Sequence, residues 1–112
     1  MNILSVSYVQ THLIWHKAEE NRRRFEALIK AEAPHTNLIV LPEMFTTGFS
    51  MEATRQAEAF DTHLQWFKTM AQSYQVAITG SVMCHDQGKF YNRLVFMQPD
   101  ASFSTYDKAH LF

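Results

Sequence analysis

Residues 38–43 read Leu-Ile-Val-Leu-Pro-Glu, and this short segment indicates the class of fold. A short continuous apolar run is typical of a strand that is buried on both faces, as the strands of parallel sheets are. Pro42 ends the strand and fixes its own φ, so Glu43 leaves the strand end at a defined angle. Ligands of open α/β sheets bind beyond the carboxyl ends of the strands, and Glu43 is therefore the first candidate site residue.

Helical periodicity flanks this strand on both sides. Apolar positions that recur every three or four residues predict one helix over Lys17–Glu32, which Pro34 stops, and a second helix over Ala57–Tyr74. The arginine run 22–24 falls mostly away from the apolar stripe, and we expect it to form a solvated helix face.

Further β-rich segments complete an alternating order of strands and helices. The other predicted strands are Ile3–Val9, Val76–Met83, Phe90–Met97 and about Phe103–Tyr106. A loop from Glu43 to about Arg55 separates the second strand from the second helix. The βαβαβ start predicts parallel strands with right-handed crossovers, followed by antiparallel additions, so the predicted fold class is α/β.

Length and composition exclude several classes of protein. The chain has 112 residues, of which 46% are hydrophobic, and this predicts one domain with a single modest core. Ten basic residues against eleven acidic ones give no electrostatic case for nucleic acid as a partner. No apolar run approaches the roughly 20 residues of a membrane helix. One cysteine, Cys84, allows no intrachain disulfide and fits a reducing, cytoplasmic setting.

Polar side chains also follow the later strands, and each has a chemical and a structural interpretation. Glu43 beside an apolar wall would have a raised pKa and could act as a general base, or it is a loop carboxylate that caps the next segment or faces water. Lys108 could offer a cation to developing negative charge, or it pairs with Asp107 or is solvated. Cys84 could be a nucleophile, although a small buried hydrophobe is the commoner state of cysteine. Taken singly, each residue favours the structural interpretation.

Metal and cofactor chemistry lack their usual patterns in this sequence. The six histidines show no ligand spacing on a helix face, and no Cys/His spacing suits zinc, so we expect no metal site. No glycine-rich loop follows a predicted strand, so a nucleotide cofactor is not expected either.

Three stretches together carry a resemblance to a known family. Residues 38–49 read Leu-Ile-Val-Leu-Pro-Glu-Met-Phe-Thr-Thr-Gly-Phe and resemble the glutamate motif of the nitrilase superfamily of carbon–nitrogen hydrolases, with a continuation similar to its omega-amidase branch. Thr-Gly-Ser-Val at 79–82 and Phe-Tyr-Asn-Arg-Leu at 90–94 are similar to the family's third and fourth strands. Tyr-Asp-Lys-Ala-His-Leu-Phe at 106–112 is similar to its lysine motif. Other positions that fit the resemblance are Val9, Gln10, Thr11, Trp15 and Asn21.

The resemblance implies a mechanism and roles for three residues. In this family a cysteine thiolate attacks an amide carbon, ammonia leaves, and water hydrolyses the resulting thioester. Glu43 would be the general base, Lys108 would stabilise the tetrahedral oxyanion, and Phe45 would line the substrate pocket or pack in the core. The implied substrate is a small 2-oxo-acid ω-amide, and no cofactor is needed.

The resemblance also implies an incomplete domain. The family's nucleophilic cysteine lies beyond the lysine motif, so residues 1–112 are expected to be one incomplete carbon–nitrogen hydrolase domain. They would form the N-terminal half of a four-layer α-β-β-α sandwich, in a protein expected to be a dimer. Two alternatives stay open: a non-catalytic module that binds a partner through exposed sheet faces, and catalysis by Cys84 itself.

Overall fold

A six-stranded mixed sheet organises the chain, and the computed structural model describes residues 3–10, 17–46 and 57–111 of it. In chain order the elements are β1 (Val6–Tyr8), α1 (Ala18–Glu32), a 3-10 turn (Ala33–His35), β2 (Leu38–Val40), β3 (Glu58–Ala59), α2 (Phe60–Tyr74), β4 (Ala77–Asp86), β5 (Lys89–Met97) and β6 (Phe103–Leu111). Of the residues that carried predictions, Thr11, Trp15 and the loop residues 47–55 lie outside the described ranges.

The sheet is parallel at its start and antiparallel at its end, as the sequence predicts. The strand order is β1-β2-β4-β5-β6, and the two-residue strand β3 pairs with β4. The pairs β1/β2, β2/β4 and β3/β4 are parallel, whereas β4/β5 and β5/β6 are antiparallel. The predicted α/β class is therefore confirmed.

Both helices pack their apolar stripes against one face of this sheet. Helix α1 buries Phe25 and Ile29 there, and the apolar residues that α2 buries are Phe67, Met70 and Ala71. The sheet supplies the opposing surface through Ile39, Ile78, Val82 and Val95, all of them fully buried. Each such side chain contributes about 1.5–3 kcal/mol when buried, so this layer is the main source of stability in the described structure.

The first predicted strand is shorter and more exposed than the sequence suggests. Strand β1 spans Val6–Tyr8, and the side chains of Val6 and Tyr8 are 54% and 62% exposed. The prediction of a buried strand over Ile3–Val9 was therefore wrong. The reason is that β1 is an edge strand of the described sheet. Val6 and Tyr8 lie on the sheet face away from the helices, and the described residues do not cover that face.

The prediction of a solvated arginine run was wrong for Arg22. Its residue exposure is 7%, and its guanidinium donates to Glu19 Oε1 at 2.7 Å and to Glu58 Oε1 at 2.6 Å. Glu58 belongs to β3, a short strand that helical periodicity does not reveal. Its carboxylate neutralises Arg22, so the guanidinium can lie between α1 and the sheet.

The last strands extend further than predicted. Strand β4 continues to Asp86 and β6 to Leu111, so Cys84 and Lys108 lie inside strands and not after them. A tight turn with positive φ at Gln87 and Gly88 joins β4 to β5, and the antiparallel pairing then holds both strands along their length. Within the described ranges, neither helix has the length and the apolar character to cross a membrane.

Candidate active site

The structure brings Glu43 and Lys108 into direct contact. Lys108 Nζ donates a hydrogen bond to Glu43 Oε1 at 2.7 Å, although 65 positions separate the two residues in the sequence. Glu43 begins the turn that follows β2, and Lys108 comes from β6. The side chains are 47% and 39% exposed, so both charged groups remain accessible from the open side of the sheet.

The turn that carries Glu43 is held by hydrogen bonds from two neighbouring elements. The Met44 N–H donates to Ser81 Oγ at 2.9 Å, and the next N–H along the chain donates to the Ser81 carbonyl at 3.3 Å. Buried Asn21 on α1 donates from Nδ2 to the Thr46 carbonyl at 2.7 Å. Met44 has a φ of 49°, a left-handed conformation that is costly for a side chain of this kind. The surrounding bonds therefore fix an otherwise unfavourable backbone beside Glu43.

Phe45 anchors the same turn in the core. Its exposure is 0%, and its ring packs edge-on against Phe25 and Phe67 at centroid distances of 5.4 and 5.7 Å. Gly80 on β4 makes room for it, because a Cβ there would lie 3.3 Å from the ring. This geometry places Phe45 in the packing, and its assignment to the substrate pocket stays a prediction.

Asn92 belongs to the candidate site although no pattern in the sequence assigns it a role of its own. It is 5% exposed, lies on β5, and donates from Nδ2 to Glu43 Oε1 at 3.1 Å. The only signal in the sequence is its place within residues 90–94 of the resembling stretch. Its contact with Glu43 depends on the pairing of β5 with β4 and β6, which local patterns do not show.

The environment of Glu43 lowers the pKa of its carboxyl group, which is the reverse of the raised pKa expected from the sequence. The hydrogen bond from Lys108 is the largest cause and that from Asn92 the next. The expectation of an apolar wall was wrong, because Glu43 is half exposed and accepts two donors. Glu43 is consequently ionised at neutral pH, with a cation in contact with it.

Cys84 is not brought to this site. It is fully buried in the main core beside α2, and burial raises the pKa of its thiol to about 11. Residues of a strand alternate between faces, and Ser81, which bonds to the Met44 turn, lies on the other face of β4. A thiol in this setting is un-ionised at neutral pH, so the geometry favours the structural interpretation of Cys84.

Asp107 does not pair with Lys108, contrary to the structural alternative raised from the sequence. Its carboxylate accepts hydrogen bonds from Arg93 Nε at 2.6 Å and from Arg93 Nη2 at 3.3 Å. Lys108 is therefore left to contact Glu43. Among residues 3–10, 17–46 and 57–111, no cluster of three or more His, Cys, Asp or Glu side chains is arranged to hold a metal ion.

The arrangement combines a base and a cation. Both hydrogen bonds from the described residues reach Glu43 Oε1, which leaves Oε2 for a donor from a substrate or a nucleophile. An ionised carboxylate at this position can accept a proton. A fixed ammonium beside it can stabilise negative charge that develops on a neighbouring oxygen.

Comparisons of the sequence and of the fold with known proteins identify the same family. The model of the carbon–nitrogen hydrolase family matches residues 5–112. The chain is 36% identical over 112 residues to omega-amidase YafV of Yersinia enterocolitica, covering 100% of this chain and 43% of that protein. It is 30% identical to the 2-oxoglutaramate amidase of Bacillus subtilis, covering 96% of the present chain and 43% of that enzyme.

Solved structures agree with this result. XC1258 from Xanthomonas campestris, a CN-hydrolase superfamily protein with an arsenic adduct in its active site, superposes with a TM-score of 0.91 at 41% identity. The match covers 100% of this chain and 43% of XC1258. Nit3 of Saccharomyces cerevisiae matches with a TM-score of 0.82 at 23% identity, over 96% of this chain and 44% of Nit3, which supports the fold alone. The chain thus spans less than half the length of these relatives. It belongs to the carbon–nitrogen hydrolase family.

Proposed function

We propose that the protein carrying this chain hydrolyses the carbon–nitrogen bond of a small 2-oxo-acid ω-amide and releases ammonia. The observation that carries the proposal is the 2.7 Å contact between Lys108 Nζ and Glu43 Oε1 at the end of β2. The substrate class is supported by relatives named omega-amidase and 2-oxoglutaramate amidase, at 36% and 30% identity.

Glu43 acts as the general base in this proposal. It takes the proton of a cysteine thiol that a segment outside these 112 residues supplies, and the thiolate attacks the amide carbon. The carbon–nitrogen bond then breaks, the nitrogen leaves as ammonia with the proton from Glu43, and a thioester remains. Glu43 next takes a proton from water, which hydrolyses the thioester to the carboxylic acid and restores the thiol. No cofactor takes part.

Lys108 stabilises the oxyanion of each tetrahedral intermediate. This role needs a cation that is already in place when charge develops, because reorganising it during the reaction would cost activation energy. The ammonium, in contact with Glu43 at 2.7 Å, would lie near the carbonyl carbon that the cysteine attacks. We further propose that residues 1–112 form one part of a single hydrolase domain, and that the protein is a homodimer.

The decisive experiment measures ammonia release by the full-length protein. A 2-oxo-acid ω-amide is compared with a simple nitrile and with an amide that lacks the 2-oxo group. We expect the 2-oxo-acid amide to give the highest kcat/KM, and Lys108→Met to lower kcat about 10²- to 10³-fold. Lys89→Met removes an exposed lysine from the start of β5 and serves as the control. Wild-type rates in Lys108→Met, or turnover of the nitrile alone, would contradict the proposal.

A second candidate function is partner binding without catalysis. It is favoured by the exposed apolar side chains Val6, Tyr8 and Tyr106, which are 54%, 62% and 67% exposed. A non-catalytic module would form a specific complex and release no ammonia from any amide while remaining folded. Ammonia release that depends on Lys108 would exclude this candidate.

A further inference from the structure

Lys108 occupies an irregular position in the sheet. In the pairing of β5 with β6, Asn92 lies opposite Ala109 and Arg93 lies opposite Asp107, so Lys108 is an extra residue between two registered pairs. Such a β-bulge bends the strand and changes the direction of a side chain. The lysine that contacts Glu43 therefore depends on the bulge for its direction.

The contact with Glu43 is too weak to hold Lys108 by itself. The two side chains are 39% and 47% exposed, and ion pairs that are open to water contribute little to stability. A long lysine side chain also loses considerable rotamer freedom when it is fixed. The direction of Lys108 must therefore come from the backbone that carries it.

Arg93 of β5 links β6, next to the bulge, to the end of β4. Its Nε and Nη2 donate to both oxygens of Asp107 at 2.6 and 3.3 Å, and its Nη1 donates to Asp86 Oδ2 at 2.9 Å. The guanidinium carbon also lies 4.5 Å from the centre of the Phe60 ring and 4.7 Å from that of Tyr91. The Arg93 side chain is 10% exposed and the two carboxylates are each 41% exposed, so the guanidinium is shielded from water and pairs with Asp107 through two charge-assisted hydrogen bonds.

Arg93 and Lys108 act on opposite faces of the same pair of strands. Arg93 contacts Phe60 of α2, whereas Asn92, the preceding residue of β5, contacts Glu43. The pair of Arg93 with Asp107 lies directly before the bulge in β6. A shift of one residue in this pairing would reverse the faces of the side chains that follow.

We infer that Arg93 is a positioning residue for Lys108: its two-pronged pair with Asp107 fixes the bulge that directs the ammonium at Glu43. The effect on catalysis rests on the proposed function, whereas the effect on the contact between Lys108 and Glu43 does not. Arg93 itself touches no reacting atom.

The test follows the titration of the Glu43 carboxyl carbon by ¹³C NMR in the full-length protein, with Glu43→Gln for assignment. We expect Arg93→Gln to raise the pKa of Glu43 toward its value in Lys108→Met. Asp107→Asn keeps the shape of the side chain and should also raise the pKa of Glu43. This variant provides the test if Arg93→Gln does not fold. The double variant Arg93→Gln/Lys108→Met should have the same pKa of Glu43 as Lys108→Met alone, because Arg93 acts through the lysine.

Arg22→Gln is the matched control. Arg22 also bonds to two carboxylates, Glu19 and Glu58, and its side chain is as buried as that of Arg93, at 8% against 10% exposure. This control should leave the titration of Glu43 unchanged. An unchanged titration in folded Arg93→Gln and Asp107→Asn would overturn the inference, and so would an equal shift in Arg22→Gln.

Kinetics separate a failure of the inference from a failure of the proposed function. We expect Arg93→Gln and Asp107→Asn to lower kcat for the 2-oxo-acid amide about tenfold or more, because a displaced catalytic group loses its alignment. KM should change less than about threefold, because the variants leave ground-state binding intact. If Lys108→Met stays active, the proposed function fails; if Lys108→Met loses activity and both other variants keep it, the inference alone fails.

Discussion

At the scale of single residues, the neighbours of Glu43 keep its carboxyl group ionised. Lys108 and Asn92 both donate to the same oxygen, and each stabilises the charged form of the carboxyl group. The folded pKa of Glu43 is therefore lowered, so its small contribution to stability is present above the unfolded pKa and lost as the pH falls through the folded pKa. A base of this kind is ready to accept a proton at neutral pH.

Removing the amide of Asn92 tests this account. Asn92→Leu keeps the branched shape of the side chain but removes the donor, so the pKa of Glu43 should rise, and by less than in Lys108→Met. The acid limb of the pH profile of kcat should move to higher pH in the same order. Titration of Glu43 by NMR is the measurement, with the remote Asn37→Leu as a control. A pKa of Glu43 that stays the same or falls in Asn92→Leu would contradict the account.

His63 supplies a separate pH dependence of stability. It is 1% exposed, and burial is the main reason that its pKa is lowered to about 4; the charge of Glu58 opposes this lowering, whereas the charges of Arg22 and His85 add to it. The unfolded chain binds a proton at His63 below about pH 6.5, whereas the folded chain stays neutral there. Stability should therefore fall by about 3 kcal/mol between pH 6.5 and 4.

Urea denaturation at several pH values measures this effect. His63→Gln should flatten the pH dependence of the unfolding free energy over that interval. His35→Gln, at an exposed histidine in the 3-10 turn, is the control variant. An equally steep decline in His63→Gln would show that another group is responsible.

Cys84 should react slowly with alkylating reagents. Its thiol is buried and has a pKa raised to about 11, so on the order of one thiol in a few thousand is ionised at pH 7.5. Iodoacetamide should label Cys84 slowly in the folded protein and rapidly in urea, as peptide mass spectrometry would show. Rapid labelling without urea would restore Cys84 as a candidate nucleophile.

At the scale of elements, the turn after β2 is coupled to the core through Gly80. A Cβ at this position would lie 3.0 Å from Leu41 Cβ and 3.3 Å from Phe45 Cδ1. Gly80→Ala should therefore displace the Phe45 ring and lower the unfolding free energy by about 1–3 kcal/mol. The displacement should also change the NMR signal of Glu43.

Gly88→Ala provides the contrasting variant. Gly88 has open space around it but a φ of 78°, so a side chain there strains only the β4–β5 turn. We expect a loss of stability of about 1 kcal/mol, with the Glu43 signal unchanged. An unperturbed Glu43 signal in Gly80→Ala would contradict the coupling of Phe45 to the site.

The same elements show why some features could be predicted from the sequence and others could not. The two helices follow from their apolar spacing, because that spacing is local. Arg22 was placed wrongly because its partner Glu58 is 36 positions away, in a strand of two residues. The bulge at Lys108 and the contact of Asn92 depend on the register between strands, which no local pattern shows.

At the scale of the whole molecule, the candidate site opens on the sheet face that the helices do not cover. Asn92 reaches Glu43 from this face, and Val6, Tyr8 and Tyr106 expose apolar surface on it. Exposed apolar surface, together with β1 and β6 as the edge strands of the sheet formed by the described residues, favours association between chains. The 112-residue chain expressed alone should therefore form oligomers or aggregates.

Light scattering after size-exclusion chromatography, over a range of concentrations, tests this expectation. Replacing Tyr8 and Tyr106 by lysine should shift the population toward monomer, because the two charges disfavour burial of the face. The matched control replaces the exposed residues Thr62 and Thr69 on α2 by lysine, and it should leave the fraction of monomer unchanged. A stable wild-type monomer with well-dispersed amide signals would contradict the expectation.

Ammonia release by the Glu43→Gln variant shows whether Glu43 is the base of an amide hydrolase. The variant keeps the shape of the side chain and loses the proton acceptor, so kcat for a 2-oxo-acid ω-amide should fall about 10²-fold or more. Glu20→Gln, at an exposed position in the first turn of α1, should match the wild type. A folded Glu43→Gln variant that releases ammonia at the wild-type rate would contradict the account.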